Sequence, residues 1–138
     1  MRKRAIHITD FDMSRLRQLL EGTHVWNKKD RSYLEKLEEE LDRAILVSSK
    51  DVPPDVVTMN SEVLVRDIDT GKEMTYRLVF PGDADIEQGK ISILAPVGTA
   101  LIGFRTGDTV VWKVPSGARR LRIERVIYQP EAAGDYHL

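Results

Sequence analysis

The 138-residue chain contains no cysteine. This absence excludes disulfide bonds, thiolate nucleophiles and zinc sites with cysteine ligands, and it fits a reducing compartment. The basic residues at positions 2–4 are not followed by the apolar stretch of a secretory signal, and no later segment is apolar for long enough to cross a bilayer. The sequence therefore predicts a soluble cytoplasmic protein without a membrane partner.

An excess of either charge is also missing, since 21 Lys and Arg residues are balanced by 22 Asp and Glu residues. A general electrostatic grip on nucleic acid needs a surplus of basic side chains, so direct DNA binding is not expected. A local basic cluster lies in the last predicted strand and consists of Arg119, Arg120, Arg122 and Arg125. Arg120 and Arg122 share a face that carries no interleaved aromatic residue. A solvated sheet face therefore explains the cluster better than an RNA contact.

Catalytic and cofactor motifs are absent as well. The three histidines show no spacing that places two ligands on one metal ion, and no Gly-x-Ser-x-Gly nucleophile motif occurs. Gly98 and Gly103 have the spacing of a phosphate-binding loop, but Phe104 and Arg105 stand where that loop needs Lys and then Ser or Thr. We therefore expect no enzyme activity, no cofactor and no bound metal.

What is present falls into two parts with different hydrophobic periods. Residues 1–50 show helical spacing, whereas residues 51–138 show short alternating runs separated by glycine and proline. Pro53 and Pro54 cannot continue a helix and mark the boundary. The predicted organisation is a helical hairpin, or short coiled coil, over 1–50 and a second domain over 51–138.

The first predicted helix is capped by Thr9, with Asp12 in the position of a capping box, and it ends at Gly22. The predicted buried face of the second helix consists of Leu34, Leu37, Leu41, Ala44 and Ile45. Its predicted outer face consists of Glu35, Glu38, Glu39, Glu40, Asp42 and Arg43. A solvated helix face accounts for this acidic run better than a metal or docking site does.

The tip between the two predicted helices contains Trp26, Lys28, Lys29, Asp30 and Arg31. A large aromatic residue among charged ones has the composition of a protein-binding hot spot. Trp26 could equally fold back over the seam between the helices. Asp30 is expected to cap the second helix, because a carboxylate before a helix accepts from its free backbone amides.

The second part predicts an antiparallel sheet and one short helix, which is an α+β fold. The short helix begins at Pro96, a favoured first helical residue, and ends at Gly103. The predicted strands are residues 56–68, 73–80, 90–94, 108–114 and 118–128.

Residues 91–110, continuing into 114–117, resemble the carboxy-terminal domain of the bacterial Gre transcript-cleavage factors. That family has a Ser-Pro pair, a short Ala-Leu-x-Gly helix, a Gly-Asp turn, a strand and a Pro-x-Gly turn. Ala95 stands here in place of the serine. The rest of the pattern is retained.

A closer resemblance is to the regulators of nucleoside diphosphate kinase, the Rnk family, which are short relatives of the Gre factors. The segments that carry it are 40–44, 55–61, 95–98 and 128–136. These segments lie in both halves of the chain. On this basis the sequence is identified as a short member of the Gre family.

The resemblance implies an amino-terminal antiparallel coiled coil and a carboxy-terminal domain folded like the FK506-binding proteins (FKBP-like). In Gre factors the latter domain docks at the rim of the RNA polymerase secondary channel, and the coiled coil enters it. Two acidic residues at the coiled-coil tip help to hold a catalytic magnesium ion in the polymerase, and backtracked RNA is cut.

Carried over to this sequence, the Gre docking segment corresponds to Ser92, Leu94, Ala95 and Pro96, with Leu94 and Ala95 in the Asp and Ser places. The tip retains a single acid, Asp30, where Gre factors have two. One carboxylate is a poor substitute for two around magnesium, so transcript cleavage is not expected.

The function implied is that of a non-catalytic transcription regulator that binds RNA polymerase near the secondary channel and competes with Gre-type factors. Contact with DNA would be only indirect, through the polymerase. The family name links such proteins to regulation of nucleoside diphosphate kinase, which does not require direct contact. The alternative is a peptidyl-prolyl isomerase or peptide-binding module, which the FKBP-like fold suggests but does not establish.

Overall fold

The computed structural model describes the backbone of residues 6–22, 28–114 and 117–138. None of the helices in these ranges is both long and apolar enough to span a membrane. The helices and strands, in chain order, are β1 (His7–Thr9), α1 (Asp10–Gly22), α2 (Lys28–Arg43), β2 (Ile45–Val47), β3 (Glu62–Asp67), β4 (Glu73–Val79), β5 (Lys90–Ser92), α3 (Pro96–Leu101), β6 (Thr109–Val114), β7 (Gly117–Tyr128) and α4 (Pro130–Ala133).

Five strands form the main sheet in the order β5-β4-β3-β7-β6, which confirms a mixed α+β architecture. The prediction of an antiparallel sheet is wrong at one edge, because β5 runs parallel to β4, with Arg77 opposite Lys90. The connection between these strands contains two single 3₁₀ turns, Pro81–Asp83 and Ile86–Gln88. These turns carry the chain back so that β5 starts in the same direction as β4.

The segment before β3 is not a strand, although residues 56–68 were predicted as one. β3 begins only at Glu62. Just before it, the Ser61 hydroxyl accepts from the Thr58 amide at 2.9 Å, and Asn60 adopts a left-handed φ of 67°. Side chain to backbone bonds of this kind compete with a strand ladder. Residues 58–61 therefore form a turn before β3.

The carboxy-terminal end contains a second short helix, α4, where the sequence predicted only one. It begins at Pro130, and the side-chain oxygen of Gln129 accepts from the Ala132 amide at 3.1 Å. The Gln129 amide nitrogen donates to the carbonyls of Pro53 and Val56 at 2.7 and 2.8 Å. Gln129 thus caps α4 and also ties it to the segment that precedes β3.

The capping prediction for α1 is confirmed, because the Asp12 amide donates to the Thr9 hydroxyl at 3.0 Å. α1 ends at Gly22, as predicted. α2 begins at Lys28, so Asp30 lies inside the helix rather than before it. The prediction that Asp30 caps α2 is therefore wrong.

The end of α2 also differs from the prediction. Ile45 was expected on its buried face, but α2 ends at Arg43 and Ile45 opens β2, where it is exposed. β2 pairs in parallel with β1, so that His7 lies opposite Ile45. Glu40, predicted on the outer face, is buried. The rest of the stripe is confirmed, with Leu34, Leu37 and Leu41 buried and Ala44 partly buried.

One continuous hydrophobic core joins the helices to the sheet. Leu16 of α1 and Leu37 of α2 are buried in the same cluster as Val63 of β3, Leu101 of α3 and Ile123 of β7. The amphipathic faces of α1 and α2 are thus covered by each other and by the sheet side of the molecule. Burial of these faces stabilises helices that would be marginal alone in water.

Candidate functional site

The segment predicted to dock onto a partner, Ser92 to Pro96, forms a tight corner between β5 and α3, which we call the docking corner (residues 92–96). The Ser92 hydroxyl accepts from the Leu94 amide at 3.0 Å, and the Ser92 carbonyl accepts from the Ala95 amide at 3.0 Å. Leu94, Ala95 and Pro96 are each partly exposed. The structure thus brings the four predicted residues together in one ordered turn.

The start of α3 is built without a polar cap. Ala95 occupies the N-cap position in extended geometry and has no side chain that could accept from the helix amides. Pro96 follows at the first helical position, where its missing N–H leaves nothing unsatisfied. The Thr99 hydroxyl donates to the Pro96 carbonyl at 2.9 Å and closes the first turn.

Two glycines fix where α3 lies. A Cβ added to Gly98 would stand 2.2 Å from the Ser92 carbonyl oxygen, so only glycine lets the helix rest on the end of β5. Gly103 has a φ of 81°, and a Cβ there would stand 2.5 Å from the Cβ of Ile6. The predicted start of the helix at Pro96 is confirmed, and the helix ends at Leu101, two residues before Gly103, whose left-handed φ prevents the helix from continuing. The close approach explains why the corner is held firmly.

An exposed loop adjoins the docking corner. Its two 3₁₀ turns, Pro81–Asp83 and Ile86–Gln88, both pack against β5. At its tip Ile86 is 83% exposed, with Asp85 and Glu87 on either side. Ile86 was not predicted from the sequence as a site residue. The available signal was an aliphatic residue between two acids in a segment bounded by Gly82 and Gly89.

A buried polar junction connects α1 to the segment before β3. The Asp12 carboxylate accepts from the Met59 amide at 3.0 Å and pairs with the Arg15 guanidinium at 2.5 Å. Arg15 is also stacked between the rings of Phe11 and Phe80, at 3.9 and 4.8 Å from their centroids. Burial raises the pKa of Asp12 above its ordinary value, although the Met59 and Arg15 bonds oppose the rise. The contact pattern indicates a structural role for this junction.

The junction extends to α4 through Glu131. The Thr58 hydroxyl donates to the Glu131 carboxylate at 2.7 Å, and Ser61 lies 2.8 Å from the same hydroxyl. Burial raises the pKa of Glu131, and the negative charge of Asp12 adds to the rise. The positive charge of Arg15 therefore acts on both of these carboxylates. The hydrogen bonds around them hold the carboxy-terminal helix α4 in place.

The basic cluster of β7 is divided between the two sides of the strand, as alternation predicts. Leu121 is buried, whereas Arg120 and Arg122 on the opposite side are exposed. Arg120 pairs with Asp69. Arg119 pairs with Asp67 at 2.7 Å, and this bond lowers the pKa of Asp67. Ion pairing thus neutralises part of the cluster, which fits the predicted solvated face.

The predicted tip residues lie at the start of α2 and just before it. Trp26 lies outside the described residues. The backbone of Lys28, Lys29, Asp30 and Arg31 forms the start of α2, but their side chains lie outside the described part. Their role at a tip stays a prediction. Within the described ranges, no group of three or more His, Asp or Glu side chains is arranged to hold a metal ion.

Comparison with family models divides the chain close to residue 50. Residues 52–128 match the model described as "Transcription elongation factor, GreA/GreB, C-term", and residues 4–47 match the model described as "Rnk N-terminus". The first match contains the docking corner and the adjoining loop, and the second contains α1 and α2.

Individual relatives agree with both models. The chain is 40% identical to the regulator of nucleoside diphosphate kinase of Escherichia coli K12 over 100% of both sequences. It is 38% identical to the transcription elongation factor GreA of Syntrophotalea carbinolica over 69% of this chain and 60% of that protein.

A solved structure is similar over nearly the whole chain. The prokaryotic transcription elongation factor GreA/GreB from Nitrosomonas europaea superimposes with a TM-score of 0.75 and 43% identity, covering 91% of this chain and 100% of the other. The chain is similar to a regulator over its full length and shares its fold with an elongation factor. Both findings lead to the same assignment. The chain belongs to the Gre family, as one of its short members of the type called regulators of nucleoside diphosphate kinase.

Proposed function

We propose that the protein is a non-catalytic transcription regulator that binds RNA polymerase near the secondary channel and competes there with Gre-type factors. The supporting observation is the match of residues 52–128 to the carboxy-terminal domain of GreA and GreB, which includes the ordered docking corner. The similarity to regulators and to transcription elongation factors supports a role in transcription regulation. RNA polymerase is the partner that family membership implies.

The docking corner is the proposed contact, through Ser92, Leu94, Ala95 and Pro96. The corner is held in place, since the Leu94 and Ala95 amides donate to Ser92 and Gly98 packs on the Ser92 carbonyl. A rigid surface loses little conformational entropy on binding. The side chains of Leu94 and Ala95 have no polar atoms. The contact would therefore rely more on apolar packing than the Gre contact does, in which Asp and Ser stand at these two positions.

The absence of transcript cleavage is proposed from the tip. Asp30 is the single acid among residues 22–32, and one carboxylate provides too few oxygen ligands to recruit a magnesium ion beside the polymerase's own ligands. The relatives found by comparison are named as regulators and transcription factors. A peptidyl-prolyl isomerase is therefore not favoured.

The same proposal covers the domain organisation. Residues 1–50 would act as a short coiled-coil hairpin presented near the channel, too short to reach deep into it, and residues 51–138 as the FKBP-like docking domain. The place of action would be the bacterial cytoplasm. An effect on nucleoside diphosphate kinase, suggested by the names of the relatives, would follow from altered transcription without direct contact.

The test is a competition assay with core RNA polymerase and a Gre factor. The protein is expected to bind the polymerase at micromolar concentration, to displace the Gre factor and to give no RNA cleavage above background in a backtracked elongation complex. Failure to bind, or binding without displacement, would rule out the proposal. Cleavage that disappears in Asp30→Ala would overturn the non-catalytic assignment.

A further inference from the structure

The loop between β4 and β5 presents one large apolar side chain to solvent. Ile86 is 83% exposed, the highest value among the large hydrophobic residues found exposed in the described ranges. Single exposed aliphatic residues are common on protein surfaces and need no explanation by themselves. Ile86 differs from such residues in the hydrogen bonds that hold its turn and in the acidic side chains of its loop.

The tip of the loop is held rigid by hydrogen bonds to Asp85. The Asp85 carboxylate accepts from the Glu87 amide at 3.1 Å and from the Gln88 side chain at 2.9 Å. The Asp85 backbone exchanges two hydrogen bonds of 2.9 Å with Lys90, at the start of β5. The Gly89 amide donates to the Ile86 carbonyl at 3.0 Å and closes the turn. Ile86 is thus carried on a hydrogen-bonded turn that is fastened to the sheet.

A rigid exposed aliphatic residue is a suitable anchor for a partner protein. Burying an isoleucine side chain on binding is favourable because it removes apolar surface from water. Little of this favourable free energy is lost to ordering the loop when its backbone is already fixed. Glu87 follows the anchor directly and Asp83 precedes it by three residues; both side chains are exposed, and neither forms an ion pair with another residue of the described part of the chain. The matching surface would therefore offer an apolar socket bordered by Lys or Arg side chains.

The turn that carries the anchor and the docking corner lie at the two ends of the short strand β5. The turn pairs with Lys90 at the start of β5, and β5 ends at Ser92, the first residue of the corner. In an extended strand these two residues are about 7 Å apart. We propose that Ile86, with Asp83 and Glu87, forms a second contact with the same RNA polymerase surface that receives the docking corner. This inference rests on the proposed function, and it assigns the partner surface an apolar socket with a basic rim.

The experiment measures the affinity of full-length protein for core RNA polymerase. Ile86→Asp is expected to weaken binding by about tenfold or more, the loss typical of a hot-spot residue. Its matched control is Val111→Asp, an exposed aliphatic position on β6, at the opposite edge of the sheet from β5. Val111→Asp is expected to change affinity by less than about twofold, as a residue outside the contact should. Circular dichroism and thermal melting of each variant establish that it is folded.

A second variant tests the charges. Glu87→Gln keeps the size of the side chain and is expected to weaken binding by about two- to fivefold at low salt, with the difference disappearing at high salt because exposed charges are screened. An unchanged affinity at low salt would remove the basic rim from the inference.

The outcomes separate the two proposals. If the wild-type protein does not bind polymerase, the proposed function fails. If the wild type binds and the folded Ile86→Asp variant binds equally well, the second contact is overturned while the docking corner stands. Equal losses in Ile86→Asp and Val111→Asp would also overturn the second contact, because the effect would not be specific to the loop.

Discussion

At the scale of single residues, the position of the docking corner depends on the lack of a Cβ atom at one glycine. Gly98 has no Cβ, so α3 can rest directly on the carbonyl of Ser92. In the sequence, Gly98 and Gly103 look like a pair because of their spacing. In the structure they have separate tasks: Gly98 allows a close approach to β5, and Gly103 takes a left-handed turn against Ile6.

Replacing Gly98 is therefore expected to be costly. Gly98→Ala should lower the free energy of unfolding by about 2 kcal/mol or more, because the new methyl group overlaps a backbone oxygen that cannot move independently. Denaturant unfolding measures the change. The matched control is Gly82→Ala, since Gly82 has no neighbour within 4 Å of an added Cβ and no positive φ. Gly82→Ala should change stability by less than about 1 kcal/mol, and an equal loss in both variants would contradict the packing argument.

At the scale of elements, α4 is held by a buried carboxylate. Glu131 is the second residue of this four-residue helix, and its contact with Thr58 attaches the carboxy-terminal end to the turn before β3. So short a helix has no stability of its own. Its position is set by this contact and by the Gln129 cap, which is why alternating patterns in the sequence did not reveal it.

The raised pKa of Glu131 predicts a pH dependence of stability. Below its ordinary value of 4.5 the carboxyl is protonated in both states. As pH rises, the unfolded chain releases the proton first, so the folded state loses stability until pH passes the raised folded pKa. Glu131→Gln lacks this loss and keeps an oxygen that can accept from Thr58. The free energy of unfolding of Glu131→Gln relative to the wild type should therefore increase from about pH 4 to about pH 7.

Denaturant titrations of both proteins at several pH values provide the measurement. Asp12 has a raised pKa for the same reason and titrates in both proteins, so the difference between them isolates Glu131 and its coupling to Asp12. A difference that stays constant across this pH range would show that Glu131 is not perturbed.

At the scale of the whole molecule, the two parts of the chain share one core. Leu37 of α2 is 1% exposed and belongs to the same cluster as the sheet residues Val63 and Ile123. The change of period near residue 50 therefore marks a change of secondary structure within a shared core. Helical and sheet parts are expected to unfold together.

Leu37→Ala tests this coupling. In a Trp26→Phe background, Trp112 of β6 is the sole tryptophan and reports on the sheet, whereas far-ultraviolet circular dichroism reports mainly on the helices. Leu37→Ala should lower stability by about 2–5 kcal/mol and move both transitions together. Glu35→Ala, at an exposed position of the same helix, should shift neither by more than about 0.5 kcal/mol. A shift confined to the circular dichroism signal would mean that the helical part unfolds independently.

The sequence by itself determined the α+β class, the start of α1, the limits of α3 and the apolar face of α2. Each of these depends on local rules: Thr9 caps the next amides, Pro96 and Gly103 bound a helix, and Leu34, Leu37 and Leu41 follow the helical period. The family assignment also followed from the sequence, because its motifs are contiguous.

Only the tertiary structure decided the parallel placement of β5, the β1–β2 pair and the burial of Glu40 and Glu131. These features depend on contacts between residues far apart in the chain, such as Asp12 with Met59 and Thr58 with Glu131. Local propensity carries no information about such partners. The exposure of Ile86 has a different origin, because the hydrogen bonds that hold its turn are local and join residues 85–90.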